Sequence, residues 1–195
     1  MHHYSFLKFN FMEIKISTAQ MLKLLYVLSW IIFVGVCIEA GGFIFNAFFT
    51  LVINPVDAKH FWEQADLSSL YNYDHVQFLT ETFLMSIVAV LRAILFYMIV
   101  KILHDKKLDM PQPFNAEMGR FILRISYVTL LIGLFSYWGV NYAGWLIKQG
   151  VKMPDVQSLR LGGADVWLFM SVTLFVIAQI FKRGIELQAE NDLTI

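Results

Sequence analysis

The sequence predicts an all-α integral membrane protein: a bundle of four transmembrane helices with both termini on the cytoplasmic side. Three observations carry that prediction. Of 195 residues, 58% are hydrophobic and 15% are charged, against roughly 25% charged in an average soluble domain, and the mean hydropathy is +0.61. Four apolar runs are long enough to cross a hydrocarbon core of ~30 Å at a rise of ~1.5 Å per residue. The basic residues are also lopsided. With both termini inside, the cytoplasmic side holds Lys8, Lys15, Lys23, Lys101, Lys106, Lys107, Arg120, Arg124, Lys182 and Arg183, whereas the outer side holds Lys59, Lys148, Lys152 and Arg160. An excess of Lys and Arg stays on the cytoplasmic face.

Residues 1–20 form a cytoplasmic N-terminus, and 21–195 read as a single membrane domain. The first eleven residues, "MHHYSFLKFNF", look like a start-site extension, because Met12 opens a more natural beginning, "MEIKISTAQMLK". His2 and His3 have no further histidine nearby and make a poor metal clip. The first span covers 24–53. Its apolar run far exceeds a secretory h-region of about 7–15 residues, so it is a signal anchor that stays in the membrane.

An outer loop, 54–78, follows. Its aromatics Phe61, Trp62, Tyr71 and Tyr73 favour the headgroup layer, which predicts a half-embedded amphipathic segment, with a ligand-binding lid as the sharper alternative. His60 and His75 lie too far apart in a loop to suggest a metal pair. The second span covers 79–101. The third, 121–147, is prefaced by Asn115 as N-cap and Glu117 in the first turn. The fourth, 162–181, begins beside Asp165, which faces the positive end of the helix dipole. The cytoplasmic tail, 182–195, holds Gly184 as a hinge and "IELQAE", a good helix former.

Two ionisable residues lie deep in the spans, where each needs a partner or a role. Counted from Trp30, Glu39 is nine residues deep, and counted from Lys101, Arg92 is also nine. Both then sit ~13–14 Å from the inner boundary, so an intramembrane ion pair between Glu39 and Arg92 is expected. The match depends on Trp30 marking the interface. Such a pair either clamps two antiparallel helices or forms an ion, proton or headgroup site. Arg120 and Arg124, four apart on one helix face, are candidates for contact with lipid phosphates. The small residues Ala40, Gly41 and Gly42 and the pair Gly139 and Ala143 predict close helix approach, and Asn46 and Asn141 predict bonds across helices.

Several functions are disfavoured. A net charge of zero leaves no basic excess for direct nucleic-acid binding. Cys37 is the sole cysteine, so the chain cannot form an internal disulfide. No phosphate-binding loop, dinucleotide fingerprint or hydrolase motif occurs, and two charges do not make a catalytic cluster. The expectation is a protein that is not an enzyme and needs no cofactor.

Three stretches, "MLKLLYVLSWIIFVGVCIEAGGFIFNAFF", "PQPFNAEMGRFILRISYVTLLIGLF" and "IFKRGIELQAENDLTI", carry a resemblance. The chain resembles the bacterial membrane family known as domain of unknown function 2975, from about Met12 onward. The resemblance implies a multi-pass protein of the bacterial cytoplasmic (inner) membrane, encoded beside a small helix-turn-helix regulator. It implies no catalytic residue. On that basis the expected role is a regulatory or signalling membrane component that docks the cytosolic regulator. Docking would use the loop 104–117 or the tail, where Glu186, Glu190, Asp192 and Leu193 are the candidates. The alternatives are a structural subunit of a membrane complex and a small-solute or ion permeation protein. A homo-oligomer is compatible with each.

Overall fold

The computed structural model describes residues 18–63, 65–105 and 115–192. The N-terminal extension with His2 and His3, most of the loop 104–117, the side chain of Asp192 and Leu193 lie outside the described parts. Five α-helices follow in order: α1 (Thr18–Val52), α2 (Ser68–Tyr73), α3 (His75–His104), α4 (Ala116–Lys148) and α5 (Ala164–Asp192). A 3-10 helix, Pro55–His60, stands between α1 and α2. The protein is all-helical, and α1, α3, α4 and α5 are each long and apolar enough to cross a membrane. It is a multi-pass membrane protein.

The ends of these helices are written locally. Pro55 ends the run from α1, and Asn54 caps the 3-10 helix by accepting from the Val56 amide. Asp74 is extended and accepts from the amides of Val76 and Gln77, at 2.7 and 2.9 Å, which starts α3. Asn115 does the same for α4 through the Met118 amide, with Glu117 in the first turn as its spacing predicts. Asp165 lies in the first turn of α5.

Neighbouring long helices run antiparallel. Tyr26, near the start of α1, bonds His104 at the end of α3. Gln77, at the start of α3, accepts from the Tyr142 hydroxyl near the end of α4. The start of α4, at Gly119, lies beside Phe181 and Ile185 of α5. The bundle is open: α1 packs on α3, α3 on α4 and α4 on α5, and α1 does not pack on α4 or α5. Apolar side chains on α1 such as Ile31, Ile38, Phe45 and Phe48 are therefore exposed. Without lipid around them these faces would be untenable.

Most of the completely buried apolar groups gather at one end. Phe43, Phe61, Leu67, Leu70, Phe78, Leu146, Leu159 and Leu161 are all 0% exposed, and all lie where the 53–74 and 149–163 loops close over the helices. We call this the loop end, and the opposite one the tail end. The 53–74 loop is thus a folded cap, with Phe61, Trp62 and Tyr71 packed into it. Its rings interlock: Phe43 with Phe61 and Trp62, and Phe78 with Phe61 and Tyr71, at 5.3–6.1 Å between centroids. Such edge and offset contacts add to simple area burial. The lack of a side chain at Gly42 is what lets the Trp62 ring sit against α1, since a Cβ there would overlap it.

Other expectations need correcting. Asn46 does not bond across helices but donates to the Phe61 carbonyl and ties down the cap. Asn141 donates back to Tyr137 of its own helix, at 2.8 Å. Gly184 is no hinge, because α5 runs through it to Asp192. Propensity explains this: the Glu, Leu, Gln and Ala that follow are strong helix formers and outweigh one glycine.

Candidate functional site

The register of α1 against α3 decides which side chains meet at membrane depth. Phe33 lies 6.0 Å from Tyr97 between ring centroids, and Tyr26 meets His104 one stage further out. Each step along α1 is matched by an equal step back along α3. Continuing the count brings Glu39 within one residue of Arg92, and their side chains lie 3.6 Å apart with 16% and 15% exposure.

This is not an isolated pair. Arg160, from the loop between α4 and α5, places its Nε 3.6 Å from the other carboxylate oxygen of Glu39. Its Nη2 lies 2.9 Å from Glu63 in the cap. Arg92 is further held with its guanidinium carbon 5.9 Å above the Trp167 ring of α5, a cation–π position. The result is a chain of alternating charge, Glu63–Arg160–Glu39–Arg92. It runs from the surface of the cap into the helices and touches α1, α3, both loop-end loops and, through Trp167, α5.

The backbone at the outer half of this chain is unusual. Glu63 (φ 43°) and Arg160 (φ 56°) are the only non-glycine residues with positive φ among the described residues. That region costs an ordinary residue about 1–2 kcal/mol. The two residues that bear this cost are the two that pair with each other. Strain retained at paired residues in two different loops points to function.

Elsewhere in the loops the polar groups are locally satisfied. Bonds from the Ser68 hydroxyl and amide hold the Asp66 carboxyl below its ordinary range. Bonds from Ser158 do the same for Asp155. His75 packs on Tyr71, 4.4 Å between centroids, and among the described residues no cluster of three or more His, Cys, Asp or Glu could hold a metal.

At the tail end, Arg120 and Arg124 line a cleft of about 400 Å³ between α3 and α4, together with Lys101, Asp105 and Glu117. Its three cations and two acids leave it mildly positive. On α5, Glu186 pairs with Arg183 at 3.0 Å, one turn away, and Glu190 lies on the same exposed helix end.

A family model described as a protein of unknown function, DUF2975, matches residues 55–195, from the start of the cap to the C-terminal residue. The chain belongs to this family. The matched region includes Glu63, Arg92 and Arg160, and leaves out the α1 residue Glu39 that joins them. No curated protein matches the chain. No solved structure matches it either.

Sequence reasoning identified Glu39 and Arg92 by counting depth from the interfaces. It missed Arg160 and Glu63, assigning one to the topological charge of the outer side and the other to an acidic loop. A long side chain folding back from a loop to a helix 121 residues earlier leaves no local signal. It also missed Glu81 in the second turn of α3, which is completely buried. The available signal was its spacing: Glu81 and Arg92 are eleven residues apart, three turns, on one helix face.

Proposed function

We propose that this protein is a regulatory component of the bacterial inner membrane, with the cap as its receiving element and the tail end as the surface that docks a cytosolic helix-turn-helix regulator. The observation that carries the reading is the Glu63–Arg160–Glu39–Arg92 chain. A structural subunit would need a clamp between α1 and α3 and nothing more. Here the clamp is wired to a strained contact on the surface of the cap, so an event at Glu63 or Arg160 changes how well Glu39 is neutralised. With two basic partners, Glu39 can be rebalanced without being abandoned, which is the property a two-state element needs.

In this reading both termini face the cytoplasm, and the protein performs no catalysis. Lys182 and Arg183 set the boundary, and the α5 extension with Glu186 and Glu190 stands beyond it as the docking surface. The resemblance to a family encoded beside such regulators supports the choice of partner, and a homo-oligomer would fit it equally well.

The experiment is affinity purification of the full-length protein from native membranes, with and without truncation after Lys182. Recovery of a cytosolic DNA-binding protein that depends on the tail, and that changes in amount with Glu63→Gln, is the expected result. Recovery of no such protein in any sample would overturn the reading. Co-purification of integral membrane proteins alone would favour the structural-subunit alternative. Flux through reconstituted vesicles would favour permeation.

A further inference from the structure

The arginines of the chain are Arg92, Arg120, Arg124, Arg160 and Arg183, and all lie within the described residues. Arg92 and Arg160 share Glu39, Arg160 also meets Glu63, and Arg183 pairs with Glu186. Arg120 and Arg124 stand apart. Among the described residues neither has a carboxylate within ion-pair distance, and both line the one cleft at the tail end. A guanidinium that the protein leaves unpaired offers its fork of donors to an anion from outside.

The cleft forms where α3 ends and α4 begins. Met98, Lys101 and Ile102 come from α3, and Arg120, Phe121 and Arg124 from α4. Within each set the steps of three and four residues keep the side chains on one helix face. Side chains lean toward the N-terminus of their own helix. On α4 that direction is outward, toward the tail end, and on α3 it is back into the bundle. Arg124 starts ~6 Å deeper than Arg120, but it leans out while Lys101 leans in, which draws the three cations together. All three are exposed, whereas Ile102 is buried and Met98 and Phe121 are half-buried. The cleft thus has basic walls over an apolar floor.

Its charge and its surroundings select the ligand. Three cations against Asp105 and Glu117 leave one positive charge, which a single phosphodiester neutralises. Guanidinium forks match phosphate oxygens in pairs. What continues from the cleft separates a lipid from a free phosphate. Tyr127, Leu131 and Leu134 follow Arg124 along the same face of α4, and all are exposed. They extend ~15 Å toward the loop end, half of a ~30 Å hydrocarbon core and so the depth of one leaflet. A ligand with an anionic head and an apolar body uses both parts, whereas an inorganic anion leaves the floor and the strip below it empty. Basic pockets between transmembrane helices hold lipid heads in this way.

We propose that the tail-end cleft between α3 and α4 binds the phosphodiester head of an anionic glycerophospholipid, with Arg120 and Arg124 gripping the phosphate and Lys101 closing beside it. The inference is independent of the regulatory reading, since it concerns neither the α5 tail nor any protein partner.

The test is native mass spectrometry of the purified full-length protein in detergent, titrated with phosphatidylglycerol or with phosphatidylcholine of the same acyl chains. One phosphatidylglycerol per chain should be retained in preference to phosphatidylcholine. The affinity should fall about tenfold for each arginine removed in Arg120→Gln and Arg124→Gln. The pair Lys23→Gln and Lys182→Gln removes the same charge from the same end of the bundle, outside this cleft, and should leave retention intact. Equal retention of the two lipids would overturn the proposal. An equal loss in the lysine pair would also overturn it, by showing diffuse surface charge. Displacement of the lipid by inorganic phosphate at matched concentration would do so by showing a free-anion site. If the double arginine variant does not accumulate, Arg124→Lys decides, because it keeps the charge and loses the fork: weaker retention supports the site, and undiminished retention overturns it.

Discussion

Neutralising Glu39 should harm the protein more than neutralising Arg92, although the two side chains face each other at equal depth. Glu39 is shared, with a guanidinium nitrogen of Arg92 on one oxygen and one of Arg160 on the other, each at 3.6 Å. At an effective dielectric of ~20, a unit pair at that distance has a gross attraction of about 4.6 kcal/mol, most of which desolvation cancels while the pair is intact. Removing one member exposes the cancelled cost. Glu39→Gln strands Arg92, whose Nε already lacks a partner and whose remaining support is the Trp167 ring. The expected loss is ~3–5 kcal/mol. Arg160 suffers less, being 41% exposed and still paired with Glu63 at 2.9 Å. Arg92→Gln leaves Glu39 with Arg160, so its expected loss is smaller, ~1–2 kcal/mol. The assay is denaturant unfolding in mixed micelles of both single mutants and the double mutant. The double mutant should be more stable than Glu39→Gln alone, because it removes the stranded charge. An Arg92→Gln loss equal to or larger than that of Glu39→Gln would refute the shared-carboxylate reasoning, as would a coupling energy below ~0.5 kcal/mol.

Three further outcomes are expected. Gly42→Ala should cost roughly 1–3 kcal/mol by displacing the Trp62 ring, whereas Gly41→Ala, with nothing within 4 Å of the added carbon, should be neutral or stabilising by thermal unfolding. Gly133→Ala should loosen α4 from α5, since its Cβ would come within 2.8 Å of the Leu168 side chain and 3.0 Å of its amide nitrogen; equal melting of this variant and Gly144→Ala would contradict the packing. Asp74→Ala removes the acceptor of two amides at the start of α3 and should cost about 1 kcal/mol, visible as faster amide exchange at Val76 and Gln77.

How much of this was legible depends on what sets each feature. Span number follows from hydrophobic length, because lipid leaves the backbone no option but to bond within the helix. The capping role of Asn115 and the first-turn place of Asp165 were equally readable, since a helix start is decided within a few residues. The pairing of Glu39 with Arg92 needed only helical rise and a fixed reference plane. The packing of the cap was not legible because its aromatics are equally at home in headgroups and in a packed core; what decides is the depth of the seat that Phe43 and Phe78 offer to Phe61. Glu81 was passed over for the same reason. Near a helix end a carboxylate ordinarily reaches water, and only the tertiary packing around Glu81 prevents it.

The open order of the helices has a consequence for how the chain is made. Each long helix packs chiefly against the one that precedes it, so during synthesis every arriving helix finds its partner already in place. The charge chain keeps a different timetable. Glu39 enters the bilayer first and has no cation until Arg92 arrives, and Arg160 can reach it only after α4 has been threaded. An intermediate stalled before that point carries an under-neutralised acid at its centre. Completing the Glu39–Arg160 contact thus waits on the chain as far as the 149–163 loop, and one truncated before it leaves Glu39 with Arg92 alone.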